Sequence, residues 1–304
     1  MTQPAPGSIF DTGWLSLRES ADAAARDETL THQAIEYLQQ RKQPGRALSL
    51  IDLGSGGGSN LRFLAPRLPG PQSWRLIDHD ADLLKEAIAS ATPLCDGSGE
   101  SIDVQADCRS LADIEADWFS GCDLISASAL FDLVSLDWLE RLAAACAAQQ
   151  TAVLFTMSVT GDWRFLDADG QIQEIPEDRW VRDQLIAHQQ RDKGLGIALG
   201  SRAPQALVQA FARQGYQVKS APSPWRLFPG QPDTQALGHS LIEGWAGAVH
   251  EQTPNKRQRL ERWLVHRLSQ LNAGALGLEV GHKDFFACPP APGSKASDST
   301  SDDQ

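Results

Sequence analysis

The chain has 304 residues, 41% apolar and 22% charged, with a formal net charge of −12. That length buries a full core, and no apolar run is long enough to cross a bilayer. The acid excess disfavours nucleic acid and anionic membranes, which are held by Lys and Arg at phosphates, so a small-molecule partner is expected, with the oligomeric state open. Residues 1–10 lack the basic start and apolar core of a signal peptide. The five cysteines (95, 108, 122, 146 and 288) show no metal or redox spacing. A reduced, cytoplasmic protein without a metal centre is the expectation.

In chain order, residues 1–12 and the Pro-, Ser- and Asp-rich stretch 289–304 have nothing to bury and are expected to be disordered. A single domain over 13–288 lies between them. Residues 13–42 read as two helices forming a lid. Arg18, Asp22 and Arg26 recur every fourth residue and share a face, either as an ion-pair ladder or as arginines turned toward a ligand. An apolar run (Leu48, Leu50, Ile51, Leu53) then carries Asp52 and breaks into Gly54, Gly56, Gly57 and Gly58. This pattern predicts a buried parallel strand, a tight turn and a helix, with Ser59 or Asn60 as N-cap. The turn needs glycine because its backbone takes positive φ and lets a ligand approach.

A second strand, Trp74–Asp78, ends in an acid about 20 residues past Gly58, the spacing at which a carboxylate takes a ribose diol in nucleoside-cofactor proteins. Asp80 caps the next helix, which runs through Ala91. A third strand, Ile102–Ala106, is followed by Asp107 and a helix near 110–118. A fourth, Cys122–Ser128, leads through Asp132 to a helix over 136–148, and a fifth covers Ala152–Met157. Alternating strands and helices with short loops specify a parallel, doubly wound sheet.

The pattern Asp52-Leu-Gly54-x-Gly56-x-Gly58, then Asp78, Asp107 and Ser126-x-Ser128-x-x-x-Asp132, resembles the class I S-adenosylmethionine-dependent methyltransferases over about 48–157. The resemblance implies an α/β fold with a doubly wound, mostly parallel seven-stranded sheet and S-adenosyl-L-methionine as cofactor. It implies a cofactor cradle of Asp52, Gly54, Gly56 and Gly58, with Asp78 at the ribose and Ser126 after strand four. Asp107 is either the contact to the adenine amino group or a plain helix cap. Arg26 is the lid arginine expected at the cofactor's carboxylate.

The C-terminal third offers a helix from Ser201, strand-like Tyr216–Val218 and Trp225–Phe228, two helices, and a last strand over Leu278–Ala287. The resemblance places an antiparallel hairpin there, at the sheet edge. Residues 161–200 are too many for a simple connection and are expected to wall the substrate side. Trp163 offers a flat surface there, and His188 and Asp192, four apart on one helix, form a candidate general base and its holder or else decorate an exposed helix.

Absent motifs narrow the chemistry. There is no Asn/Asp-Pro-Pro-aromatic tetrapeptide after strand four, no His-Glu-x-x-His, no Gly-x-x-x-x-Gly-Lys-Ser/Thr and no Gly-x-Ser-x-Gly. Direct methylation of oxygen or nitrogen on a small molecule is the reading. The alternatives are an NAD(P)-dependent oxidoreductase, against which Ser59 stands where a third glycine is needed, and a non-catalytic cofactor-binding scaffold.

Overall fold

Strands buried on both faces require near-continuous apolar runs. Such runs form β1 (Leu48–Leu53), β2 (Gln72–Asp78), β4 (Leu124–Ser128) and the first half of β5 (Ala152–Leu166). The computed structural model describes residues 12–112, 114–189 and 196–290. The tails expected to be disordered therefore fall almost wholly outside the described residues, and so does Asp192.

The sheet runs β3-β2-β1-β4-β5-β8-β6, where β3 is Asp103–Cys108, β6 Gln217–Pro222 and β8 Gly277–Cys288. Strands β1 to β5 are parallel, and β8 is antiparallel to both β5 and β6. The order reverses between β1 and β4, which places a crevice for ligands at their carboxyl ends. This is the doubly wound fold with an antiparallel edge that the class I methyltransferase resemblance implies. It has one more strand than expected, the short β7 (Trp225–Leu227), which pairs with β8.

Two further expectations are corrected. Strand β5 runs on to Leu166, so the insertion begins after it instead of at 161. The helix expected near 110–118 is only a 3-10 turn, Ala116–Phe119. The carbonyls of Leu111 and Ala112 are taken by Trp138 Nε1 (2.5 Å) and an Arg141 guanidinium N–H (3.2 Å), so tertiary bonds hold that backbone outside a helix.

The helices divide over three apolar clusters. Ile51, Ile125, Val153, Phe155 and Phe285 face α5 (Leu136–Gln149) and α7 (Ala203–Arg213). Leu48, Leu50, Leu124, Leu154 and Phe286 face α2 (Glu28–Arg41), α3 (Ser59–Leu64) and α4 (Ala81–Ala91). The far half of β5 and β8 packs with α6 (Pro176–Gln189), α8 (Pro232–Gln252) and α9 (Arg257–Asn272) around Trp163, Phe165, Trp245 and Trp263. The N-terminal α1 (Thr12–Ala25) packs on β7, α8 and α3.

In the third cluster Asp178 is buried and accepts from Trp263 Nε1 (2.8 Å), Arg267 Nε (3.1 Å) and Arg267 Nη2. Arg267 is fully buried, so it depends on this carboxylate. Asp178→Ala should lower unfolding stability by about 3–5 kcal/mol, because it leaves a buried guanidinium without its counter-charge. Urea denaturation checks this; a loss of only a few tenths would mean that water reaches Arg267.

A candidate ligand site at the carboxyl edge

The glycine turn is held from below and from one side. Gly54 and Ser55 N–H both donate to Ile77 O (2.8 and 3.2 Å), and Gly56 N–H donates to Asp78 Oδ2 (2.8 Å). Asp78, buried at the end of β2, also accepts from Asp80 N–H on Oδ1 (3.0 Å) and lies 3.1 Å from His79 Nδ1. Gly54 (φ 62°), Gly56 (φ 50°) and Gly58 (φ 82°) are all left-handed, as the turn requires. Gly58 has a second duty, since a Cβ there would stand 3.0 Å from Ala87 Cβ: it lets α3 pack on α4. A Cβ on Gly54 would meet only the ends of Leu130 and Leu111 (3.3 and 3.9 Å), and one on Gly56 only Leu15 (3.4 Å). Apolar side-chain ends from three segments, and no backbone, stand over those two glycines.

Neither Ser59 nor Asn60 caps α3. Gly58 is the cap residue, and it makes no side-chain cap hydrogen bond. Asn60 is drawn into the core instead, because Asp52 beneath it is fully buried and needs donors. Asn60 Nδ2 donates to Asp52 Oδ1 (2.6 Å), and Ser126 Oγ donates to the same oxygen (2.7 Å). Asn60 Oδ1 in turn accepts from Arg26 Nη1 (2.5 Å). Arg26, at the end of the α1 segment, is 6% exposed, lies over the Phe63 ring (4.4 Å) and reaches Ser128 Oγ at 3.5 Å.

These groups belong to one polar row. On the sheet face covered by α2 and α3, Asp52 pairs in register with Ser126, and Ser128 with Thr156. They continue the parity of Leu50, Leu124 and Leu154 and extend that face to its carboxyl end. A bulge between Phe155 and Ser158 gives β5 one extra residue, so Thr156 and Met157 stand opposite Asp284 of β8. Asp284 is buried and accepts from Met157 N–H (2.9 Å), Ser223 Oγ (2.7 Å) and Asp27 N–H (2.9 Å), tying the bulge to the start of α2. Burial raises the Asp52 carboxyl above its ordinary value against the pull of Ser126, Asn60 and Arg26, and it raises Asp284 likewise. Burial also lowers the Arg26 guanidinium, against the attraction of Asp22, Asp284 and Asp52.

The site residues expected from the sequence are thus brought together unevenly. Asp52, Gly54, Gly56, Gly58, Asp78, Ser126 and Arg26 converge on this edge. Ser126, however, is buried under the row with its hydroxyl committed to Asp52. Asp107 lies within β3, not after it, and its carboxylate is bound to Arg109 Nε (2.7 Å), with Arg75 at 4.0 Å; it caps no helix. His188 Nε2 is 3.0 Å from Glu251, a contact between α6 and α8, while its expected partner Asp192 lies outside the described residues. Trp163 is 3% exposed and stacks on Trp245 at 4.4 Å, a core residue and not an open wall. Arg18 is clamped to Asp22 (2.9 and 3.1 Å), and Asp22 also accepts from Trp225 Nε1 (2.9 Å).

Arg62, Thr156 and Asp284 were not foreseen, Asn60 was expected only as an N-cap, and Ser128 only as part of the motif after strand four. Arg62 joins the turn to the lid, donating to Gly57 O (2.6 Å) and to both Glu19 oxygens (2.7 and 2.5 Å). For Thr156 a signal was present, a polar residue between Phe155 and Met157 in an apolar strand run; Asp284 follows His282 and Lys283 and gave none.

No protein family and no curated protein matches the chain. Among solved structures it is similar to a cyclopropane synthase from Mycobacterium tuberculosis, at 11% identity and a TM-score of 0.46 over 91% of this chain and 94% of that one. A methyltransferase from Geobacter sulfurreducens, in complex with S-adenosyl-L-homocysteine, gives 15% and 0.43 over 92% and 99%. A putative sarcosine dimethylglycine methyltransferase from Galdieria sulphuraria gives 17% and 0.42 over 85% and 84%.

The buried acids make a pH prediction. A carboxyl whose folded value is raised stabilises the fold fully below its unfolded value, 3.8, and loses that contribution as pH rises through the raised value. Asp52→Asn cannot ionise. Its stability relative to wild type should therefore increase as pH rises through that window and then level off. Thermal melts between about pH 4 and about pH 8 test this linkage; a difference that does not vary with pH would contradict it.

Proposed function

We propose that the chain is an S-adenosylmethionine-dependent methyltransferase acting on oxygen or nitrogen of a small-molecule acceptor. The observation that carries the reading is the meeting, at the switch point of a sheet with an antiparallel strand beside β5, of the glycine turn with the Asp78 and Asp52 carboxylates. A dinucleotide-binding sheet runs 3-2-1-4-5-6; the antiparallel β8 between β5 and β6 departs from it, which favours the sulfonium cofactor over NAD.

The residues fit that cofactor. Asp78 accepts one backbone N–H on each oxygen and keeps lone pairs for a ribose diol. Asp52 Oδ2 is buried and has no hydrogen-bond partner, which suits a ligand ammonium. Leu15, Leu111 and Leu130 close the space above the turn with side-chain ends that rotate at little cost. When bound, the cofactor supplies a methyl group made electrophilic by sulfonium.

The protein's part is to align and to exclude water, which brings nucleophile and methyl carbon to about 3 Å. Bound at this edge, S-adenosylmethionine would offer that carbon to the acceptor's lone pair, with sulfur keeping the electron pair of the carbon–sulfur bond. The acceptor's proton leaves to solvent. No proton-transfer role is proposed for His188, which is tied to α8. Among the described residues no helix is long and apolar enough to cross a membrane, and no cluster of His, Cys, Asp and Glu is placed to hold a metal ion.

Calorimetric titration of the purified protein should show binding of S-adenosylmethionine and S-adenosylhomocysteine and none of NAD. Asp78→Asn, which keeps an oxygen for Gly56 N–H, should weaken S-adenosylhomocysteine by about 1.5–3 kcal/mol, the range for a hydrogen bond to a charged group. Binding of NAD alone would refute the proposal.

A further inference from the structure

Along the covered face of the polar row three buried atoms have no hydrogen-bond partner: Asp52 Oδ2, Arg26 Nε and Thr156 Oγ1. Asp52 and the neighbourhood of Arg26 are accounted for by the amino-acid end of the proposed cofactor. Thr156 is not. It is 2% exposed, and leaving a buried hydroxyl unpaired is costly. The backbone around it is strained as well. Ala129 (φ 53°), just past the end of β4, and Met157 (φ 59°), in the bulge of β5, are both left-handed without being glycine, and Ala129 N–H donates to Thr156 O (3.0 Å). Each such residue costs of order 1–3 kcal/mol and persists only where its surroundings enforce it, a pattern that clusters at ligand sites. Here Asp284 enforces it by accepting Met157 N–H.

Position along the edge gives the hydroxyl a task. Asp78 on β2 and Asp52 on β1 mark the ribose and amino-acid ends of the cofactor in the proposed reading. The next strands in the sheet are β4, which ends at Ser128, and β5, on which Thr156, at the bulge, is the register partner of Ser128. Ser128 is approached by Arg26; Thr156 is the group without a partner. Resting on the methyltransferase reading, we infer that Thr156 is an acceptor-contacting residue: its hydroxyl faces the transfer point and hydrogen-bonds the acceptor's nucleophilic atom. The acceptor class is then an alcohol or amine, whose heteroatom exchanges a hydrogen bond with Thr156, and not a carbon nucleophile.

The test uses two cofactor analogues and needs no acceptor. Sinefungin carries an amine where the transferable methyl stands, and S-adenosylhomocysteine has nothing there. Both are titrated calorimetrically into wild type, Thr156→Val and Thr156→Ser. Thr156→Val should keep S-adenosylhomocysteine affinity within about twofold, lose about tenfold in sinefungin affinity, and regain it in Thr156→Ser. Because the hydroxyl has no partner in the fold, Thr156→Val should melt no lower than wild type. An unchanged sinefungin-to-S-adenosylhomocysteine ratio overturns the inference, and so does a large fall in melting temperature or failure to fold, which would reveal a structural partner. Absence of binding of either analogue to wild type overturns the methyltransferase reading itself.

Discussion

The carboxylate of Asp52 is the constraint on which the carboxyl edge depends. It sits on a central strand with no exposed surface, where an isolated charge would be prohibitively costly. Its relief comes from Asn60, Ser126 and the nearby Arg26, each supplied by a different element. Asn60 reaches it only if the chain reverses within a few residues of β1 and starts α3 at once, which is what the left-handed glycines permit. Arg26 approaches only if α1 ends where it does, so the helical pair 12–41 is part of the site's support and not an appendage. The carboxylate is also left with one oxygen unsatisfied, a cost about equal to the net worth of a hydrogen bond or two. In the proposed reading that oxygen, at the mouth of the glycine turn, is kept for the ligand.

A second carboxylate governs the opposite end of the row. Asp284 joins three segments far apart in sequence, the start of α2, the bulge of β5 and Ser223. Its neighbour two residues back, His282, is buried against Trp225, and burial together with Arg18 lowers its imidazole to about 3. That histidine is therefore neutral throughout the range in which proteins work and donates or accepts without switching charge. The charged groups on this side are the acids and two arginines.

What was legible in the sequence was whatever depends on local pattern. Periodicity exposed β1, β2, β4 and β5, the Asp80 cap and the glycine turn, because strand burial and backbone φ are set by neighbours in the chain. The order of acids behind the turn placed Asp52 and Asp78 at one edge. Partners across the fold were not legible. Asn60 has the spacing of an N-cap, and only the buried charge beneath it turns it inward. His188 and Asp192 have the spacing of a helical pair, yet His188 meets Glu251, 63 residues away. Asp107 follows an apolar run as a ligand-binding acid would, but arginines on either side in space claim it. Trp163 looked like an exposed platform because β5 was read as ending at Met157. Its continuation to Leu166 buries the ring in the aromatic cluster.

That continuation explains why the strain sits where it does. Strand β5 serves two packing environments: its first half lies between the two helical layers of the parallel sheet, and its second half pairs with β8 inside the tryptophan cluster. The two halves need different twist and register. Cores packed at crystal-like density do not yield to accommodate each other. The pairing of β5 with β8 is irregular twice: at the extra residue of 156–157, with the left-handed Met157, and again between Val159 and Trp163. At the first of these the Thr156 hydroxyl has no hydrogen-bond partner. The bulge, the left-handed Met157 and the unpaired Thr156 hydroxyl thus lie together where β5 passes from one core to the other, beside the carboxyl end of β4.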